Sequence, residues 1–280
     1  MISFDHNDPS SAYGACPRFT TLLEALVHQA QTKPHALGLA DKERGLTFEQ
    51  WALRIATCAQ ELQPVLTEQG VKIGANTKDA QPQPLQLPLG AVVLLPAIPS
   101  VDYLCLYYAL CLCHVIVVPC DKNSTEDTLR YYAEQSGAQV ILNYPDAHLS
   151  AVGLTQIDCT ELLKRADNQL VAWEGSVQTT EILKQLSAHL PGPEEFESIY
   201  FTSGTTGKSK AVLLTHANTL QGGLNSVSTC AKFSSEIEIL TTPIFHAQAA
   251  SSFRANLILG AASVLFPSFY RPEELQALIT

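Results

Sequence analysis

Ala91-Val92-Val93-Leu94-Leu95-Pro96, the run from Val101 to Cys113, and Val115-Ile116-Val117-Val118-Pro119 make one apolar block whose reading decides the fold. From Tyr103 to Val118 it is nearly unbroken, and a membrane helix needs about 20 apolar residues. Pro96, Pro99 and Pro119 punctuate the block, however, and Asp102 and His114 interrupt it. Proline lacks the N–H a helix interior needs, and its ring clashes with the preceding turn. The block therefore reads as strand over 91–96, helix over 101–113 and strand over 115–119, with no transmembrane segment. The β-branched Val115-Ile116-Val117-Val118 suits a strand buried on both faces, as in a parallel sheet.

Downstream the alternation continues. Ser124-Thr125-Glu126-Asp127 places a hydroxyl cap and acids at a helix start. That helix is expected to reach Ser136 and to stop at Gly137, with a strand following in Gln139-Val140-Ile141-Leu142. Strand–helix–strand units of this length predict an α/β fold, mainly parallel sheets flanked by helices. Upstream, 20–31 and 47–62 carry helical periodicity. The stretch 63–90 turns to Gln, Pro and Gly, including Gln81-Pro82-Gln83-Pro84, and reads as an exposed loop insertion. The stretch 153–193 is polar and helical in places, and no internal repeat is evident.

Composition narrows the function classes. The 280 residues carry 17 Lys+Arg against 27 Asp+Glu, a formal charge of −10. Such a surface repels phosphate backbones, so nucleic-acid binding through bulk charge is excluded. An apolar share of 46% excludes intrinsic disorder. Eight cysteines are spread along the chain without a CxxC pair, and Cys105, Cys111, Cys113 and Cys120 fall inside or at the edge of the apolar block. There a thiol acts as a small hydrophobe. The first residues show no basic region followed by an apolar run. Reduced thiols and a cytoplasmic location are the expectation.

The chemistry concentrates further on, in Ser198-Ile199-Tyr200-Phe201-Thr202-Ser203-Gly204-Thr205-Thr206-Gly207-Lys208-Ser209-Lys210-Ala211-Val212-Leu213-Leu214. An apolar strand enters a loop of hydroxyls and glycines, two lysines follow, and a second apolar strand leaves. Glycines let backbone N–H groups turn toward an anion, and hydroxyls add donors. Lys208 and Lys210 supply positive charge, so a triphosphate fits. Gly207-Lys208-Ser209 suggests a P-loop, but that pattern needs glycine at position 202, where Thr202 stands. The loop also leads into a strand-like run rather than a helix, so the P-loop reading fails on spacing and on context. The bland reading is a Ser/Gly-rich hairpin turn without a ligand.

The stretch from Thr202 to Lys210 resembles the phosphate-binding signature of the adenylate-forming (AMP-binding) superfamily, which includes acyl-CoA synthetases, nonribosomal adenylation domains and luciferases. Gly45-Leu46-Thr47-Phe48-Glu49-Gln50 resembles that family's early LTY-x-E segment, and 92–121 its strand–helix–strand ending in Val-Pro-x-Asp. Leu129-Arg130-Tyr131 through Gln135-Ser136-Gly137-Ala138 matches a further segment. Thr242-Pro243-Ile244-Phe245-His246 is similar to its P-x-F-H motif. Departures are Ser209 in place of a frequent proline, Ala211 in place of glycine, and His114 where glycine is frequent. Loss of the proline is expected to loosen the loop, and His114 to crowd its turn.

The resemblance implies an acyl-CoA synthetase-like ligase. A carboxylate attacks the α-phosphorus of ATP, giving acyl-AMP and pyrophosphate; a thiol, coenzyme A in many members, then takes the acyl group. It assigns Thr202, Ser203, Thr205 and Thr206 as hydroxyl donors to the β- and γ-phosphates, assisted by Mg²⁺. Gly204 and Gly207 would allow the tight path, with Lys208 and Lys210 as cations. The apolar run 237–245 reads as a strand that puts His246 at its end, where open α/β sheets bind ligands. The resemblance implies that His246 lies near the carboxylate as the catalytic candidate; the bland reading is a histidine closing a loop. No acid follows His246 until Glu273, and a buried ammonium without a counter-charge is costly. A non-amino carboxylic acid is therefore expected, with an amino-acid adenylation fragment of a nonribosomal peptide synthetase as the alternative, and a non-catalytic AMP-binding module as a third reading. The resemblance places residues 1–280 in the N-terminal part of the large domain. The family's aromatic-x-Thr-Glu motif, ribose-binding aspartate, hinge and C-terminal lysine are absent from the sequence. Weak ATP affinity, no useful turnover by this polypeptide alone, and a second polypeptide supplying those motifs are the corresponding expectations.

Overall fold

The computed structural model describes residues 18–73, 91–145, 147–173, 177–202, 209–230, 232, 234–244 and 247–266. Among them are the strands β1 (Leu37–Ala40), β2 (Gly45–Thr47), β3 (Val92–Ala97), β4 (Ile116–Asp121), β5 (Val140–Asn143), β6 (Thr155–Asp158), β7 (Phe196–Thr202), β8 (Lys210–Thr215), β9 (Ile237–Leu240) and β10 (Ala262–Leu265). The helices are α1 (Leu22–Thr32), α2 (Phe48–Glu68), α3 (Val101–Leu112), α4 (Glu126–Ser136), α5 (Thr160–Trp173), α6 (Val177–Ala188), α7 (His216–Cys230) and α8 (Ala247–Leu259). The six-stranded sheet has the order β6-β5-β3-β4-β7-β8 and the four-stranded sheet the order β2-β1-β10-β9. Within each sheet the pairs are parallel except β7–β8 and β1–β2. The expected α/β class with mainly parallel sheets stands.

The deciding block folds as strand, helix, strand, and the alternation of side chains shows why it is apolar throughout. On β3, Val93 and Leu95 join the large core with α2, α3 and α8, while Val92 and Leu94 join a second core under α4. On β4, Val117 faces the first core and Ile116, Val118 and Cys120 the second. A strand covered by helices on both faces has no polar side to show. No helix among the described residues is long and apolar enough to cross a membrane.

Helix α4 begins and ends as its sequence dictates. Thr125 caps it by accepting the Thr128 N–H, and Gly137 closes it at φ 75°. His114 also takes a left-handed φ of 54° in the turn before β4. That conformation costs an L-residue about 1–2 kcal/mol, and a ring bond from Nδ1 to Glu195 Oε2 at 2.7 Å anchors the side chain.

Three sequence expectations need correction. Helix α2 runs through Pro64 to Glu68 instead of ending at 62, so the start of the 63–90 stretch is helical. Fully buried Leu62 and Leu66 hold that last turn against the core, and their burial offsets the cost of the proline. The remainder, 74–90, lies outside the described residues. Strand β6 was not foreseen in the polar 153–193 stretch, because it is a mostly exposed edge strand. Finally, the apolar run 237–245 is strand only to Leu240.

The described cysteines are all free, and six of them are buried. Burial pushes the Cys105 thiol up to about 11 and those of Cys113 and Cys159 up to about 12. Since the thiolate is the reactive form, exposed Cys230 is expected to be alkylated by iodoacetamide long before Cys58, Cys105, Cys111, Cys113, Cys120 and Cys159. Peptide mass mapping with and without denaturant reads this directly; fast native labelling of Cys111 or Cys120 would contradict it.

Candidate active site

Strand β7 ends at Thr202, and antiparallel β8 begins at its register partner Lys210. Because β7 runs parallel to β4, and β4 to β3, the hairpin mouth opens at the carboxyl end of the parallel strands. This is the edge at which open α/β sheets bind ligands. Thr202 and Lys210 are both exposed there. Thr202 Oγ1 donates to the Lys210 carbonyl oxygen at 3.4 Å, which joins the two arms. Ser203, Gly204, Thr205, Thr206, Gly207 and Lys208, the loop itself, lie outside the described residues.

The hairpin is braced by α4. Tyr132 stacks on Phe201, with centroids 3.9 Å apart and planes at 11°. Tyr131 approaches the same ring edge-on, and its hydroxyl donates to the Ser209 carbonyl oxygen at 2.7 Å. One helix thus grips the residue before Thr202 and the residue before Lys210. This bond fixes the Ser209 carbonyl on the outgoing arm; the loop whose loosening was expected lies outside the described residues.

Behind the mouth lies a buried charge that the sequence reading missed. Glu197 on β7 is fully buried. Its Oε1 accepts from the Tyr107 hydroxyl at 2.7 Å and lies 3.8 Å from Arg254 Nη2. Its Oε2 accepts from the Thr219 hydroxyl at 2.5 Å and sits 3.0 Å from His216 Nδ1. Burial alone would raise the Glu197 pKa; the His216 bond and charge, with Arg254 and Thr219, outweigh burial and hold it below the ordinary value. Arg254 also reaches the Tyr200 hydroxyl at 3.3 Å. The available signal was a single acid inside Phe196-Glu197-Ser198-Ile199-Tyr200-Phe201, where an interior strand has no place for an unpaired charge.

The other expected site residue, His246, lies outside the described residues with Phe245. Its neighbours place it in the chain. Ile244 before it is buried, and helix α8 starts directly after it at Ala247. The strand expected to lead into it ends at Leu240, so an irregular segment over 241–244 intervenes. Among the described residues no group of three or more His, Cys, Asp or Glu could hold a metal ion.

Comparison with known proteins agrees with this arrangement. The family model described as AMP-binding enzyme matches residues 85–280. Over 106 residues the chain is 32% identical to 2-succinylbenzoate–CoA ligase, chloroplastic/peroxisomal, of Arabidopsis thaliana, covering 36% of this chain and 19% of that protein. It is 24% identical over 174 residues to long-chain-fatty-acid–CoA ligase FadD13 of Mycobacterium tuberculosis, covering 61% of this chain and 33% of that one. The match therefore spans a third or less of these curated relatives. The inhibitor-bound crystal structure of the N-terminal domain of FACL13 from Mycobacterium tuberculosis shares the fold, with a TM-score of 0.67 at 20% identity, covering 93% of this chain and 60% of that chain.

Proposed function

The chain belongs to the AMP-binding enzyme family, and from that premise we propose that it is the N-terminal part of the large domain of an acid–thiol ligase. A carboxylate oxygen attacks the α-phosphorus of ATP, the bond to the β-phosphate breaks, and pyrophosphate leaves from acyl-AMP. The thiol of coenzyme A then attacks the acyl carbonyl, the thioester forms, and AMP departs. The observation that carries this reading is the hairpin mouth, where Thr202 and Lys210 stand exposed at the carboxyl end of parallel strands.

Thr202, Ser203, Thr205 and Thr206 would donate hydroxyls to the β- and γ-phosphates. Gly204 and Gly207 would bring backbone N–H groups near, while Lys208 and Lys210 meet the charge that builds as pyrophosphate leaves. Donors fixed before reaction act without reorganisation cost. Mg²⁺, bound with the nucleotide, would supply further neutralisation of the phosphates. His246 would stand beside the substrate carboxylate. The run Phe245-His246-Ala247-Gln248 holds no acid for an ammonium, so a fatty or aryl acid is the substrate class favoured over an amino acid. Pairing with a polypeptide that carries the remaining motifs belongs to the same reading.

Titration of the purified chain with Mg·ATP is expected to show saturable binding that Thr205→Ala weakens about tenfold, the worth of one charge-assisted hydrogen bond. Absence of saturable binding, or equal binding by the variant, would overturn the proposal. Sulfamoyl adenosine analogues separate the substrate classes. Fatty-acyl and aryl forms are expected to raise the melting temperature more than aminoacyl forms, and the reverse order would favour the amino-acid alternative.

A further inference from the structure

We propose that Glu197 is a positioning residue for this reaction, a reading that rests on the function proposed above. Its carboxylate locks β7, which ends at Thr202, to α8, so that the end of the hairpin strand and that helix are held as one body. Glu197 lies five positions before Thr202 on β7, while Arg254 sits two turns into the helix that begins right after His246. One carboxylate is thus tied to three other elements: Tyr107 on α3, His216 and Thr219 on α7, and Arg254 on α8.

Two observations argue that this link does more than fill space. A fully buried carboxylate costs several kcal/mol to desolvate, and apolar packing of the same volume commonly serves stability as well or better. What apolar packing cannot do is fix direction, which a carboxylate with donors on several sides does. The second observation is the contact between α7 and α8. A Cβ at Gly223 would lie 2.9 Å from Arg254 Cβ and 2.8 Å from Ile258 Cδ1. Only glycine lets the helices close to the distance at which the guanidinium reaches both Glu197 and Tyr200.

Hydrogen exchange read by mass spectrometry tests the link without nucleotide, in wild type, Glu197→Gln and Thr219→Val. In Glu197→Gln, amides of 210–215 and of 247–259 are expected to exchange about tenfold faster together, while those of 140–143 keep their wild-type rates. Should that variant fail to fold, Thr219→Val removes one bond to the same carboxylate and is expected to show the same paired loss at about threefold. A change confined to one of the two segments, a uniform change throughout the chain, or no change in Thr219→Val overturns the inference. In parallel, the Mg·ATP dissociation constant is expected to rise at least about fivefold in Glu197→Gln; an unchanged constant overturns the positioning role. A wild type that fails to bind ATP, with the paired loss still seen in Glu197→Gln, would sink the proposed function and leave the mechanical link intact, so the two failures are distinguishable.

Discussion

Arg54→Ala is expected to lower the unfolding free energy by about 3–5 kcal/mol, the cost of removing one partner from a buried charge cluster. The Arg54 side chain on α2 is wholly inaccessible. Its Nη2 lies 2.7 Å from Asp102 Oδ1 on α3, and its Nε donates to Asp167 Oδ1 on α5 at 2.7 Å. Arg44 donates to the other Asp167 oxygen, and the Asp41 carboxylate accepts from the Val101 N–H at the start of α3. Burial by itself would lower the Arg54 pKa, but its neighbours, Cys105 first and then the Asp102 and Asp167 carboxylates, more than reverse that and raise it, so the guanidinium stays charged. Alanine would leave Asp102 and Asp167 facing each other with a cavity between three helices. Urea denaturation measures the loss, and a change below about 1 kcal/mol would contradict this account of the cluster. The pH dependence carries a second signature. Asp167 is held below the usual carboxylate range: burial pushes its pKa up, and the Arg54 and Arg44 bonds more than reverse that. Its contribution is therefore present above about pH 4, its ordinary pKa region, and is lost as pH falls through the depressed folded value. In the variant that acid-side slope should flatten.

Lys210→Ala is expected to weaken Mg·ATP binding by about 10- to 100-fold, matching the roughly 1.5–3 kcal/mol of a hydrogen bond to a charged group. Lys210 is exposed and opens β8 opposite Thr202, so its removal leaves the core untouched. The melting temperature without nucleotide should stay within about a degree or two, as for surface changes generally. Lys210→Arg keeps the charge and should recover most of the affinity. Full-strength ATP binding by the alanine variant would remove Lys210 from the phosphate site, and with it the argument from the hairpin mouth.

What could be read from the amino acids was whatever local physics decides. The prolines of the apolar block, the Thr125 cap and Gly137 announced their elements within a residue or two, since turns and caps depend on neighbours in the chain. The two strands flanking 202–210 were equally legible, β7 ending at Thr202 and β8 beginning at Lys210, while the anion-binding role of the loop between them belongs to the proposal. The Glu197 cluster was not legible in the same way. Its partners sit at 107, 216, 219 and 254, and only the closed fold brings them together. The same holds for Tyr131 and Tyr132, ordinary helix residues until the hairpin lies on them. Helix α2 ran past Pro64 because burial of Leu62 and Leu66 outweighed a local rule.

The pairing of β1 with β10 has a consequence for biogenesis. Leu39 finds its neighbour at Ser263, so one side of an early strand stays without its mate until nearly all of these residues have left the ribosome. At about 5–20 residues per second that wait is on the order of tens of seconds. Through it the nascent chain displays an unsatisfied backbone edge beside the greasy flank of α1, a standing invitation to holdase chaperones and, at high expression, to precipitation.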